Sequence, residues 1–324
     1  MTPATIRKRF FSVLESAEQN IHLFVNAPGS EMTRHRRCPL LDTIKATLCL
    51  TMNRTNTELF DFFISQNKPV PSKSAFTQQR KKLYAYLFPY ILKDFNEKIP
   101  FIKTFKGFHI VAADGSDVNL PTDKHDLVYR IKQARSDNVF FQMHLNVLYD
   151  ICENRYITAV TQPRPKMNES LAFCQMVDQC DLPDNTIYIA DRGDASLNTM
   201  AHFIENGKLF LIRWKSPSAP SAFLKDLLPA ETESDTEIVL DVTRSKKNRH
   251  LCHGDKLKIV KNKRVFEPIP PDDTKSVYTM KIRCTCIQLE NGNYEYLISN
   301  LSPETFSAKD LRELYWKRWG IMQI

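Results

Sequence analysis

From Phe108 to Trp214 short β-rich runs alternate with amphipathic helical runs, and no other feature constrains the fold of this chain as strongly. The runs are FHIVAAD, VFFQMHLNVLYD and YITAVTQ, then NESLAFCQMVDQC, TIYIAD, ASLNTMAHFIENG and KLFLIRW. Their periods predict three successive strands followed by helix, strand, helix and strand. Strands and helices in that order build a mixed sheet covered by helices.

The flanks have different periods. Between Thr5 and Phe105 apolar residues recur at spacings of three and four in RFFSVLES, LLDTIKATLCLTM, ELFDFFISQ and KKLYAYLFPYILKDF. Pro69 and Pro71 interrupt this pattern, and Ser72, Lys73 and Ser74 read as the cap of a helix starting near Ala75. Residues 1–105 are expected to form an all-α domain. Beyond Trp214, short strand-like runs such as EIVLDV, LKIV, SVYTMKIRCTCIQLE and YEYLISNL are separated by polar, Pro-containing turns. This predicts a β-rich insertion over 215–300, after which a helix resumes at Ser307 in AKDLRELYWKRWGI. The expected fold class is therefore α/β, with the core strands of 106–214 in the order of a ribonuclease H-like core and residues 301–324 starting a C-terminal core helix.

Lys and Arg outnumber Asp and Glu 45 to 37, a formal charge of +8, which favours an anionic partner such as nucleic acid. No segment approaches the roughly 20 consecutive apolar residues of a membrane span. The basic N-terminus lacks an uninterrupted apolar core and a cleavage site, so it reads as a first helix, not as a targeting peptide. Eight cysteines without a C-x-x-C pair fit a reducing cytoplasm. His250, Cys252 and His253 lie too close together for a zinc site and read as a polar turn. The run from Arg244 to His250 is either a solvated loop or a track for DNA backbone.

Asp114 ends the apolar run HIVAA and is followed by Gly115 and Ser116; Asp191 ends TIYIA and is followed by Arg192 and Gly193. Taken singly, each is a turn former or helix cap. As a pair at the ends of strands in one sheet they can converge, as phosphodiester chemistry on two hard cations requires. Carboxylates suit Mg²⁺ or Mn²⁺.

The segments DGSDVNLP and IYIADRGDAS, with aspartates 77 residues apart (191 − 114), resemble the first and second catalytic boxes of DDE transposases of the insertion-sequence four family. LYWKRWGIMQI resembles the third box, a signature of Tyr, two residues, Arg, three residues, Glu, six residues and Lys. Tyr315 and Arg318 fit its first half, but Met322 stands where the Glu is expected, and the signature Lys would fall beyond Ile324. Glu313 precedes that position by nine residues (322 − 313), about half a turn out of phase on a helix, and should face away from the site. SAFTQQRKKL resembles the segment preceding the family's core and places Arg80, Lys81 and Lys82 on a helix.

The resemblance spans roughly Arg37 to Ile321. It implies metal binding and catalysis by Asp114 and Asp191, and DNA contacts by Tyr315 and Arg318. Arg192 is either a phosphate ligand or the ion-pair partner of its neighbour. Without the resemblance, Tyr315, Trp316 and Trp319 would form a packed helix face, with Arg318 solvated. Trp214 reads as a core residue.

What the resemblance implies is cut-and-paste transposition: strand cleavage and strand transfer at inverted-repeat ends and target DNA, by a homodimer on paired ends, in the bacterial cytoplasm with the nucleoid. No membrane and no small-molecule substrate is expected. With Met322 in place of the third carboxylate, and the chain truncated at the third box, activity is expected to be impaired. The alternatives are a catalytically inactive DNA-binding regulator and a ribonuclease H-like nuclease.

Overall fold

Thr2 opens the first helix: its side chain accepts a hydrogen bond from the Thr5 backbone N–H, and Pro3 follows at a position where no N–H is needed. The structure, a computed structural model, describes residues 1–33, 38–51, 54–123, 125–132, 138–218, 225 and 227–319. The chain divides into two units, Met1–Pro100 and Phe101–Ile324.

The first unit contains α1 (Pro3–Gln19), α2 (Leu40–Cys49), α3 (Thr55–Ser65), α4 (Lys73–Arg80) and α5 (Leu87–Glu97). Val13, Leu14 and Ala17 of α1 pack with Leu40 and Ile44 of α2 and with Leu87 and Ile91 of α5. A second cluster joins Ala46, Leu59, Phe63 and Phe76 of α2, α3 and α4. These are the three-and-four spaced apolar positions, so the periodicity translates directly into packing. Ser72 caps α4 by accepting from the Ala75 N–H.

One expectation fails here. Arg80 ends α4, Lys81 caps it and Lys82 lies in the following turn, so the three basic residues do not share a helix. The carbonyls of Lys81 and Lys82 accept from the Asn26 side chain, and Leu83 bridges to Val25, which draws the chain out of the helix.

In the second unit the strands β1 (His109–Asn119), β2 (Arg130–Lys132), β3 (Val139–Asp150) and β4 (Arg155–Pro163) come first. They are followed by α6 (Glu169–Asp178), β5 (Thr186–Ala190), α7 (Leu197–Glu205) and β6 (Leu209–Trp214). In space the core runs β4, β3, β1, β5, β6, with β3 antiparallel to both its neighbours and β5 and β6 parallel to β1. That is the ribonuclease H-like order.

Strands β7 (Ser234–Thr243), β8 (Lys256–Ile259), β9 (Val277–Gln288) and β10 (Tyr294–Ser299) continue the same sheet beyond β6 in the order β10, β9, β7, β8. The β-rich stretch thus widens the core sheet. Arg244 anchors it from inside: the residue is buried and its guanidinium donates to the carbonyls of Lys261, Arg264, Phe266 and Ile269. The first member of the basic run is therefore structural, while Lys246, Lys247, Arg249 and His250 are exposed.

Both faces of the sheet are covered. Phe173, Met176, Met200 and Phe203 of α6 and α7 pack on Val111, Tyr188, Phe210 and Ile212. Leu311, Leu314 and Tyr315 of α8 (Ala308–Lys317) pack on Ile110, Ile187, Ile189, Leu211 and Leu297 from the other side. This two-sided burial is why TIYIA reads as a continuous apolar run. Trp214 is partly buried against the first of these clusters, as expected of a core residue. Among the described residues no helix is long and apolar enough to cross a membrane.

Candidate active site

Parallel strands β1 and β5 pair from His109 opposite Thr186 to Ala112 opposite Ile189. Two residues further along each strand come Asp114 and Asp191. Strand β5 ends at Ala190, whereas β1 continues along β3 to Asn119, so the two chains part where the carboxylates stand. Parting strands leave polar side chains at a cleft instead of in the core. The sequence thus brings the two expected aspartates side by side.

A third element closes this cleft. Helix α8 starts with a capping box, Ser307 accepting from the Asp310 N–H while the Asp310 carboxylate accepts from Ser307. Lys106 pairs with Asp310 at 2.7 Å, and these contacts hold the Asp310 carboxyl down to about 2. The helix delivers Tyr315 and Arg318, three residues apart, to the aspartates. Arg318 Nη1 lies 3.4 Å from Asp114 Oδ1 and Nη2 lies 3.3 Å from Asp191 Oδ2. Tyr315 OH lies 3.5 Å from Asp191 Oδ1.

Both residues are buried, at 0% and 3% exposure, while Trp316 and Trp319 are exposed at 53% and 38%. The helix-face reading with packed tryptophans and a solvated arginine is overturned, because burial of Arg318 is compensated by two carboxylates. Glu313 faces solvent and pairs with Lys317 at 3.5 Å, away from the site as its phase requires. Met322 lies outside the described residues.

Asp191 is held by more than α8. Arg213 of β6 donates Nε to Oδ1 at 2.8 Å and Nη2 to Oδ2 at 3.0 Å, and the Arg192 backbone N–H donates to Oδ1 at 2.7 Å. Burial raises the carboxyl, but that N–H and the Arg213 and Arg318 guanidiniums outweigh it and hold Asp191 below its ordinary value. The Arg192 side chain is exposed and meets no carboxylate among the described residues, so the ion-pair partners of Asp191 are Arg213 and Arg318.

Further acidic and basic groups that sequence reasoning missed surround the pair. Asp194 is raised to about 7 by burial first and then by the neighbouring Glu169, with Asp114 and Asp191 adding to it and Arg318 opposing. Glu169 opens α6, where its carboxylate approaches His144 of β3, Nε2 to Oε1 at 3.2 Å. His144 Nδ1 is 2.7 Å from Asp117 Oδ1, and Arg164 Nε donates to Asp117 Oδ2 at 2.7 Å. Glu295 of β10 is buried; burial raises its carboxyl, Arg213 and Arg312 oppose this, and Asp191 adds to it. A cavity of about 710 Å³ opens beside Arg213 and Glu295, bordered by Trp316, Lys317 and Trp319.

Among the described residues no group of three or more His, Cys, Asp or Glu is spaced to hold a metal ion, the His250–Cys252–His253 turn included. Arg80, Lys81 and Lys82 belong to the other unit, where each is solvent-accessible.

Residues 106–321 match the family described as Transposase DDE domain. No curated protein matches the chain. Among solved structures, the cryo-EM structure of the piggyBac transposase synaptic complex with hairpin DNA is similar at 10% identity and a TM-score of 0.45. The similarity covers 98% of this chain and 64% of that one, so the chain spans less than two thirds of that protein's length.

Proposed function

The chain belongs to the DDE transposase family, whose members are DNA nucleotidyl-transfer enzymes, and we propose that it is a cut-and-paste transposase of the insertion-sequence four type. It acts on the inverted-repeat ends of its element and joins them to target DNA, as a dimer on paired ends in the cytoplasm. The observation that carries this reading is that Asp114 and Asp191, each two residues beyond the last paired residues of β1 and β5, face one arginine.

DDE transposases generally use divalent metal ions. Asp114 and Asp191 fit such an ion in donor type, since both offer hard carboxylate oxygens, and in charge, since both already face the Arg318 cation. They are the residues that would hold Mg²⁺ or Mn²⁺, which when bound would activate a water or a DNA hydroxyl and stabilise the leaving oxygen.

The chain's own residues supply the rest. Arg213 fixes the orientation of Asp191 through a bidentate contact. Tyr315 and Arg318 line the approach to the aspartates, and a DNA phosphate entering there would draw the Arg318 guanidinium from carboxylate to phosphate. Exposed Arg192, and Arg80, Lys81 and Lys82 of the helical unit, add backbone contacts.

The second reading is a DNA-binding regulator that does not cleave. It is supported by Met322 at the position of the expected Glu, and by the saturation of Asp191 with arginine hydrogen bonds. A strand-cleavage assay on a duplex ending in the element's own inverted repeat, with Mn²⁺, separates the two. Cleavage that disappears in Asp114→Ala and Asp191→Ala supports the transposase. Binding that survives both substitutions, with no cleavage by the parent chain, supports the regulator and overturns the enzyme.

A further inference from the structure

Each aspartate has a glycine close behind it, Gly115 next to Asp114 and Gly193 two residues after Asp191. Neither adopts the left-handed backbone that would by itself require glycine. What requires it is space. A β-carbon on Gly115 would stand 2.5 Å from His144 Nε2, and one on Gly193 would overlap Glu169 Oε2. The two glycines therefore press against His144 and Glu169, two side chains that face each other at 3.2 Å.

That pair is anchored on both sides. His144 is buried at 4% exposure on β3, and its Nδ1 is fixed by Asp117, which Arg164 holds in turn. Both ring nitrogens thus face a carboxylate, Asp117 on one side and Glu169 on the other. Glu169 is positioned by the start of α6, where Asn168 caps the helix by accepting from the Leu171 N–H. One half of the pair touches the backbone of β1 beside Asp114, and the other touches the loop that carries Asp191.

We propose that the His144–Glu169 pair is a positioning unit that sets the spacing between Asp114 and Asp191. This rests on the reading of those aspartates as the reacting centre, but the spacing itself is a property of the fold and can be measured without catalysis. Glu169 and His144 touch no reacting atom in this role. They act through Gly193 and Gly115, as residues behind a ligand orient it in many metal-dependent sites.

The test compares the full chain with Glu169→Gln, which keeps the shape and removes the charge, and with Glu169→Asp, which keeps the charge. Hydrogen exchange of the Arg192 and Asp194 amides reports the loop directly, since both N–H groups are bonded to Asp191. In Glu169→Gln these amides exchange about tenfold faster or more while α7 and β6 keep their protection. Strand-cleavage turnover falls about 10–100-fold with the DNA dissociation constant unchanged, and Glu169→Asp recovers part of it.

Unchanged loop exchange in Glu169→Gln overturns the proposal whatever the catalytic result. So does faster loop exchange with full turnover, because the pair would then be merely structural. If the parent cleaves no DNA and the loop still loosens, the spacing role stands and only the transposase reading falls. Should Glu169→Gln fail to fold, His144→Gln with the same two readouts decides.

Discussion

Arg213 grips Asp191 through both carboxylate oxygens, Nε to Oδ1 at 2.8 Å and Nη2 to Oδ2 at 3.0 Å. The two side chains are partly buried and come from neighbouring parallel strands, so the contact ties β6 to the end of β5 and orients one of the two aspartates.

Replacing Arg213 by Met should lower stability by about 2–3 kcal/mol, the usual scale for hydrogen bonds to a charged group left without its partner. The pH dependence follows from the depressed carboxyl of Asp191. Its stabilisation is fully present above the ordinary value of 3.8 and is lost as pH falls through the lower folded value. Urea melts at pH 3 and pH 6 should therefore converge in Arg213→Met relative to the parent; an unchanged gap contradicts the assignment.

Arg318 gives the second prediction. Its guanidinium is the shared counter-ion of Asp114 and Asp191 and is buried. Arg318→Ala should cost about 2–3 kcal/mol, because Asp114 then loses its cation while Asp191 keeps only Arg213. Mn²⁺ should raise the melting temperature of this variant more than that of the parent, since the added cation replaces the lost one. Equal shifts in differential scanning fluorimetry would mean that the arginine and the ion do not compete.

The basic run should separate into two behaviours. Arg244→Ala should destabilise the fold by about 2–4 kcal/mol by leaving buried carbonyls without donors. The double change Lys246→Ala and Lys247→Ala should leave the melting temperature alone. If these lysines contact DNA, it should also reduce the salt slope of log K by about 0.9 for each contact removed. Fluorescence anisotropy across a salt series measures this.

His202 supplies a pH response outside the site. It lies 2.9 Å from both Asp178 and Glu267; burial lowers its affinity for a proton, and those two carboxylates more than reverse this. The raised imidazole stabilises the fold fully below 6.5 and loses that contribution as pH rises through the folded value. Both partners are about half exposed, so the effect should be about 1 kcal/mol or less. Urea midpoints at pH 5.5 and 8.5 should differ less in His202→Gln than in the parent.

Much of the fold was legible because the responsible signals are local. Strands β1, β3, β4, β5 and β6 and helices α6 and α7 follow from apolar periodicity, and the short charged β2, Arg-Ile-Lys, does not. The spacing of the two aspartates was informative for a reason visible only in the sheet. Their separation of 77 residues (191 − 114) equals the register offset of β1 and β5 (186 − 109).

Arg213, His144 and Glu169 were not legible as site residues, because each comes from a different element and only the sheet order brings them together. A cue did exist in Gly115 and Gly193, small residues beside chemistry-bearing ones, but it shows where space is needed and not what fills it. That Lys81 and Lys82 fall beyond the end of α4 was not legible for a similar reason, since the contact with Asn26 that ends α4 comes from 55 residues upstream.

The position of β10 between β6 and β9 has a consequence in time. Strand β6 ends at Trp214 and its outer partner β10 begins at Tyr294, 80 residues later (294 − 214). At about 5–20 residues per second of synthesis, the outer hydrogen-bonding edge of β6 waits roughly 4–16 s for its partner to leave the ribosome. The nascent chain thus carries two finished aspartate strands and an open sheet edge before α8 exists. Throughout that interval its folding depends on what keeps other strands from that edge.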